Sequence, residues 1–175
     1  MMKPQTKTIV ILSDSHWRFS AKLPAYLSFI QQLKPDAILH AGDIGHIDLL
    51  EALENLAPVF AVRGNCDTGI LAETLPKKQV LSFDDVKIGL IHGDGARGTT
   101  PERAYQAFLQ DDVQLIVFGH SHKPMQEEKE NITLFNPGSC AQPRGLSPYP
   151  SLGLLKIQGN TFQVSHLYLK TMQTS

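Results

Sequence analysis

Seven residues of the kinds that hold cations and move protons, Asp14, His16, Asp43, Asn65, His92, His120 and His122, fall in five short polar clusters. The clusters are Asp14-Ser-His16, Gly42-Asp43, Gly64-Asn65-Cys-Asp67, His92-Gly-Asp94 and Gly119-His120-Ser-His122. Carboxylates and imidazoles with one amide oxygen suit manganese, iron or zinc, whereas a structural zinc or iron–sulfur site would need clustered thiolates. An aspartate carries two oxygens and can serve one cation with each, which makes Asp43 a candidate bridge. Two cations held roughly 3.5 to 4 Å apart can share a hydroxide and stabilise both sides of a phosphoryl displacement. Spacing along the chain leaves one ion or two open.

Distant residues form one site only if the chain delivers them to one place. Each cluster follows an apolar run that reads as a strand: Lys7 to Leu12, Asp36 to His40, Val59 to Arg63, Lys87 to His92 and Gln114 to Phe118. Helices are expected from about Lys22 to Lys34, stopped by Pro35, from His46 to Leu56, stopped by Pro58, and from Thr99 or Thr100 to about Gln110. At the last of these, Pro101 fits the first helical position after Thr100, while Thr99 and Glu102 offer a competing capping box. Repeated strand, polar loop and helix predict a largely parallel sheet, whose carboxyl edge gathers function. Further strands are expected at Gln79 to Phe83, which forms a hairpin with Lys87 to His92 across Asp84-Asp85, and then at Pro124 to Glu128, Ile132 to Phe135, Gly153 to Gln158 and Thr161 to Leu169. Gly159-Asn160 is a turn, Asn136 to Pro150 a long loop, and the residues beyond Leu169 are expected to fray.

The 175 residues are expected to form one compact unit over 1–175. Sixteen basic against seventeen acidic residues leave a net charge of -1, so there is no bulk electrostatic signal for nucleic acid or an anionic membrane. Two cysteines, Cys66 and Cys140, are too few for a disulfide framework, and a reduced, cytoplasmic protein is expected. The basic start Met1-Met2-Lys3-Pro4 precedes an apolar segment too short for a signal-peptide core. No window approaches the roughly 18 apolar residues of a membrane span.

Asp14-x-His16, Gly42-Asp43-x-x-His46, Gly64-Asn65-Cys66-Asp67, His92-Gly93 and Gly119-His120-x-His122 resemble, in order, the motifs of the calcineurin-like metallophosphoesterases. The Gly-Asn-Cys-Asp form and the short length are similar to the small bacterial and archaeal phosphodiesterase branch. The resemblance implies an α/β fold, a four-layer α-β-β-α sandwich of two mixed sheets flanked by helices, and the strand-rich second half agrees. It also implies two divalent cations, manganese first, with iron, nickel and zinc as alternatives. One would be held by Asp14, His16, Asp43 and His122, the other by Asp43, Asn65, His92 and His120. Asp43, Asn65, His92 and His120 become the catalytic residues of a phosphodiesterase in which a bridging hydroxide attacks phosphorus in line.

His40 reads as a core or supporting histidine, His46 as a helix start or a support for the ligands, and His166 as ordinary strand surface. Asp67 would orient a neighbour or neutralise charge rather than bind metal directly. Related protein phosphatases carry a histidine where Cys66 stands, and a thiol is the weaker proton donor, which favours phosphodiesters with acidic leaving groups. Asp94 departs from the family's second histidine, Asn136-Pro137-Gly138-Ser139 resembles its downstream loop, and Arg144 is left without a role. The alternatives are a phosphomonoesterase with the same core and a non-catalytic scaffold, as the retromer-complex subunit of this fold is. The expected partner is a small phosphodiester, with no membrane, and a homo-oligomer is left open.

Overall fold

The computed structural model describes residues 5–20 and 22–170. The expectations for the start at Met1 to Pro4 and for fraying from 171 onward lie outside the described residues. Five strands, β1 (Lys7–Leu12), β2 (Ala37–His40), β3 (Val59–Ala61), β9 (Ser151–Gln158) and β10 (Thr161–Tyr168), form one sheet in the order β10-β9-β1-β2-β3. The other sheet has β4 (Lys78–Phe83), β5 (Val86–Ile91), β6 (Leu115–Val117), β7 (Met125–Lys129) and β8 (Ile132–Asn136), ordered β4-β5-β6-β8-β7. The centres β1-β2-β3 and β5-β6-β8 are parallel, and antiparallel strands complete both sheets.

Alternation along the strands builds the layers. Ile9 and Ile11 of β1 face Ile88, Leu115 and Val117 in the apolar seam between the sheets. Val10 and Leu12 point the other way, onto Leu27, Ile30, Leu49 and Leu53 of helices α1 (Tyr26–Leu33) and α2 (Ile47–Glu54). On the far side Ile116 and Phe118 meet Ala104, Tyr105 and Phe108 at helix α4 (Thr100–Ala107). This is the expected four-layer sandwich, with both sheets clad by helices. Among the described residues no helix is long and apolar enough to cross a membrane.

Helix α1 begins four residues later than expected. Pro24 lacks a donor and pushes Leu23 out of helical conformation, leaving Leu23 exposed rather than on the apolar face. The competing starts of α4 resolve to the capping box: Thr99 Oγ1 accepts from Glu102 N at 3.4 Å and Glu102 Oε2 accepts from Thr99 N at 2.7 Å. A short helix α3 (Ile70–Thr74) was not expected, because one and a half turns are too few to display a periodicity.

Candidate metal centre

The loops leaving β1, β2, β3, β5 and β6 meet at one edge, and they are laced together by backbone bonds. Asp14 N donates to Gly42 O at 3.0 Å, His16 N to Asp43 O at 2.9 Å and Gly119 N to His92 O at 3.0 Å. Asp14, His16, Asp43, His120 and His122 all hold φ between 41° and 66°, a costly region for residues with a Cβ that clusters at functional sites. Gly64 is required by contact rather than by φ, since a Cβ there would fall on the Asp43 carboxylate. Asp67, buried, accepts from Ile44 N, Gly45 N and Gly64 N at 2.8, 3.1 and 2.8 Å, tying the β2 loop to the β3 loop. It orients the site, as one of its two expected roles required.

Three tight groups form within this frame: Asp14 with His16 and His122, Asp14 with Asp43 and His92, and His16 with Asp43 and Cys66. His122 Nε2 lies 3.4 Å from Asp14 Oδ1 and 3.1 Å from His16 Nε2. Asp43 Oδ2 faces both sides, 3.6 Å from His16 Nε2 and 3.3 Å from His92 Nε2, while its Oδ1 accepts from Cys66 N at 2.8 Å. Asp43 Oδ1 thus accepts the Cys66 amide, and Oδ2 stands between the two groups, which is where a bridging carboxylate would have to lie. Asn65 Oδ1 lies 3.1 Å from His120 Nδ1 at the exposed rim, and the His92 and His120 ring centroids are 5.2 Å apart. His120 joins none of the three tight groups.

Backbone carbonyls fix the tautomers. His92 Nδ1 donates to Ala41 O and His122 Nδ1 to Gln142 O, both at 2.7 Å, so each ring turns an Nε2 lone pair into the cluster. Asp14 Oδ2 accepts from Ser13 Oγ at 2.8 Å, but Asp14 Oδ1 and His92 Nε2 are buried with no hydrogen-bond partner. A lone pair 3.3 Å from a carboxylate oxygen repels it unless a proton or a cation lies between them. This oxygen and nitrogen donor set fits one or two divalent cations. Burial raises the Asp14 pKa to about 6 against the opposing charge of His92 and the Ser13 hydroxyl. Burial also opposes charge on His92, but the adjacent Asp43 and Asp14 carboxylates outweigh it and raise its pKa. Asp43 is held below the usual carboxylate range: burial works against ionisation, and His92 and the Cys66 amide overcome it. Burial pushes the Cys66 thiol up to about 11, so it stays protonated beside Asp43.

The remaining histidines separate cleanly. His40 is buried and bonded on both nitrogens, and His46 caps α2 by accepting from Asp48 N at 3.3 Å. His166 is not ordinary strand surface: it is partly buried, donates to Asn136 O at 2.7 Å and stacks on Phe135 with centroids 4.5 Å apart. Its register partner is Gly153, whose missing side chain leaves a gap through which the ring reaches Phe135. The Asn136 loop supports the site from below, with Asn136 Nδ2 donating to Gly119 O at 2.8 Å and Ser139 Oγ to Asp14 O at 2.7 Å. The holding roles of Ala41 and Gln142 escaped sequence reading because any residue supplies a carbonyl. The turn residues Asn136 to Ser139 did carry a signal.

Residues 8–160 match the calcineurin-like phosphoesterase superfamily domain. A "Probable metallophosphoesterase" of Methanothermobacter thermautotrophicus is 37% identical over 158 residues, covering 86% of each chain. The Escherichia coli phosphodiesterase YfcE is 39% identical over 103 residues, 55% of this chain and 52% of that one. Among solved structures, Chaetomium thermophilum Vps29 superposes with a TM-score of 0.74 over 93% of this chain and 97% of that one, at 21% identity, and so shows the shared fold. Matched family and clustered ligand groups together support a metal-dependent hydrolase. The chain belongs to the calcineurin-like phosphoesterase superfamily.

Proposed function

We propose that the protein is a two-cation phosphodiesterase. Asp14, His16, Asp43 and His122 would hold one cation and Asp43, Asn65, His92 and His120 the other, with manganese the first choice for this oxygen and imidazole set. The observation that carries the reading is the pair of orphaned buried atoms, Asp14 Oδ1 and His92 Nε2, one in each half of the site. Bound there, divalent cations supply Lewis-acid charge and a nucleophile at neutral pH.

The chain's own residues argue for diesters. Burial lowers the His120 pKa, so at neutral pH its ring is uncharged and offers a hydrogen bond rather than a strong acid. Cys66, exposed at the edge of the cluster and protonated, is a weak donor to a leaving oxygen. Both features suit an ester whose leaving group departs without much help. A cleft of about 500 Å³ beside His16 and Cys66 leaves room for a second substituent on phosphorus. The similarity to a named phosphodiesterase over half the chain points the same way.

A panel of aryl phosphodiesters, cyclic nucleotides and phosphomonoesters, each tried after defined metal loading, tests the proposal. Metal-dependent turnover with diesters ahead of monoesters is expected. Monoesters ahead would make the protein a phosphomonoesterase, and no turnover with no retained metal would make it a scaffold.

A further inference from the structure

The cleft beside the candidate metal centre has an aromatic wall that the hydrolysis of phosphorus does not need. Trp17 and Phe19 follow shortly after His16 in the chain, and His46 lines the same cleft in contact with both rings. Trp17 and His46 meet edge to face with centroids 6.0 Å apart, and Phe19 and His46 stand 5.6 Å apart. The Phe19 ring is 71% exposed and rests edge-on against Trp17, centroids 6.4 Å apart, and Trp17 in turn packs on the core. Arg18 and Gln142 add a cation and an amide to the same lining.

The wall is held in place by the chain. Trp17 N donates to Ile44 O at 3.0 Å, and Gly45, with φ at 103°, lies so close that a Cβ would fall on the Trp17 backbone. The loop carrying the rings is thus pinned to the loop carrying Asp43. A ring seated against Trp17 and Phe19 would share the cleft with His16 of the cluster.

We infer that Trp17, Phe19 and His46 form a stacking subsite for a planar ring, such as a nucleobase, carried by one ester group of the substrate. The inference rests on the phosphodiesterase reading and narrows its substrate class to nucleotidyl or aryl esters. Aromatic faces bind such rings with little dependence on their identity, and Arg18 can add a cation over the ring face.

Trp17 is the one tryptophan of the chain, so its emission reports the subsite directly. Metal-loaded protein is titrated with adenosine 5'-monophosphate, ribose 5-phosphate and adenosine, with correction for absorption by the base. We expect the nucleotide to quench Trp17 saturably and to bind roughly tenfold tighter than the sugar phosphate, the order set by one stacked base. Phe19→Ala removes that advantage while leaving ribose 5-phosphate affinity and metal stoichiometry unchanged. Equal affinities with no quenching, in protein that holds metal and binds the sugar phosphate, overturn the subsite and leave the function standing. Quenching by adenosine, with no metal retained and no sugar phosphate bound, upholds the subsite and removes the phosphodiesterase reading.

Discussion

His40 and His92 sit in neighbouring parts of the same edge, both completely buried, and their surroundings differ in one respect. His40 Nδ1 accepts from Gly42 N at 3.2 Å, so its Nε2 carries the proton and donates to Ser15 Oγ at 2.6 Å. Burial, with the nearby charge of His92, drops its pKa to about 3. His92 has the opposite tautomer, donating from Nδ1 to Ala41 O, and turns its Nε2 on the Asp43 carboxylate 3.3 Å away with no hydrogen-bond partner. A histidine whose two nitrogens are both satisfied by the protein is scaffolding. One left with a lone pair against an anion is half of a cation site. Burial distinguishes neither, and the hydrogen-bond accounts distinguish both.

The largest effect is expected at Asp43, the carboxylate opposite His92. Asp43→Asn keeps size and removes the anionic oxygen between the two groups, so metal affinity and turnover should fall by more than about a hundredfold, beyond what losing a ligand's supporting partner costs. Thermal unfolding without metal should change little by comparison. Elemental analysis and turnover on the same preparations check this, and wild-type activity with full occupancy would remove Asp43 as the bridge.

A paired substitution sharpens the contrast between His40 and His92. His40→Leu strands the Gly42 amide and leaves the Ser15 hydroxyl only Cys140 Sγ, and should cost about 1 to 3 kcal/mol of stability at pH 8, with metal stoichiometry kept. His92→Asn should do the reverse, losing metal with a small effect on the metal-free fold. The sign with pH follows from the lowered folded pKa of His40. The unfolded chain takes a proton near 6.5 that the native state refuses down to about 3, so His40's contribution is complete above pH 6.5 and is lost as pH falls. The penalty of His40→Leu should therefore shrink below pH 6.5 by up to about 1.4 kcal/mol per pH unit, read from denaturant unfolding. A penalty independent of pH would mean that His40 is not held neutral.

The smallest expected effect lies at the exposed side. Cys66→His should raise the ratio of monoester to diester kcat/KM several-fold, because an imidazole can protonate a poor leaving group where this thiol cannot. The side chain is exposed in the cleft, so the larger ring has room. An unchanged ratio at full metal occupancy would move substrate choice to another part of the rim, such as Asp94.

The sequence carried the frame because apolar runs ending in polar clusters encode both a parallel strand and what its carboxyl end delivers. That is how Asp14, Asp43 and His122, spread over more than a hundred residues, could be grouped from spacing and family motifs. The hydrogen bond from the Cys66 amide to Asp43 Oδ1 was hidden, because it depends on how the loops fold together. The inward turn of His166 was missed although it shares a strand face with Phe162 and Val164, and the register opposite Gly153 opens the gap that its ring fills. The aromatic wall drew no signal because Trp17 and Phe19 match neither a helical nor a strand period, and they meet His46 only through the fold.

The central claim is that the orphaned atoms Asp14 Oδ1 and His92 Nε2 belong to two cation sites joined at Asp43. It is tested most directly by stripping the protein, reloading it with manganese and counting ions per chain by elemental analysis, with the folded fraction measured alongside. The account predicts saturation at two ions per folded chain. Saturation at one ion, or at none, in protein that remains folded would contradict it.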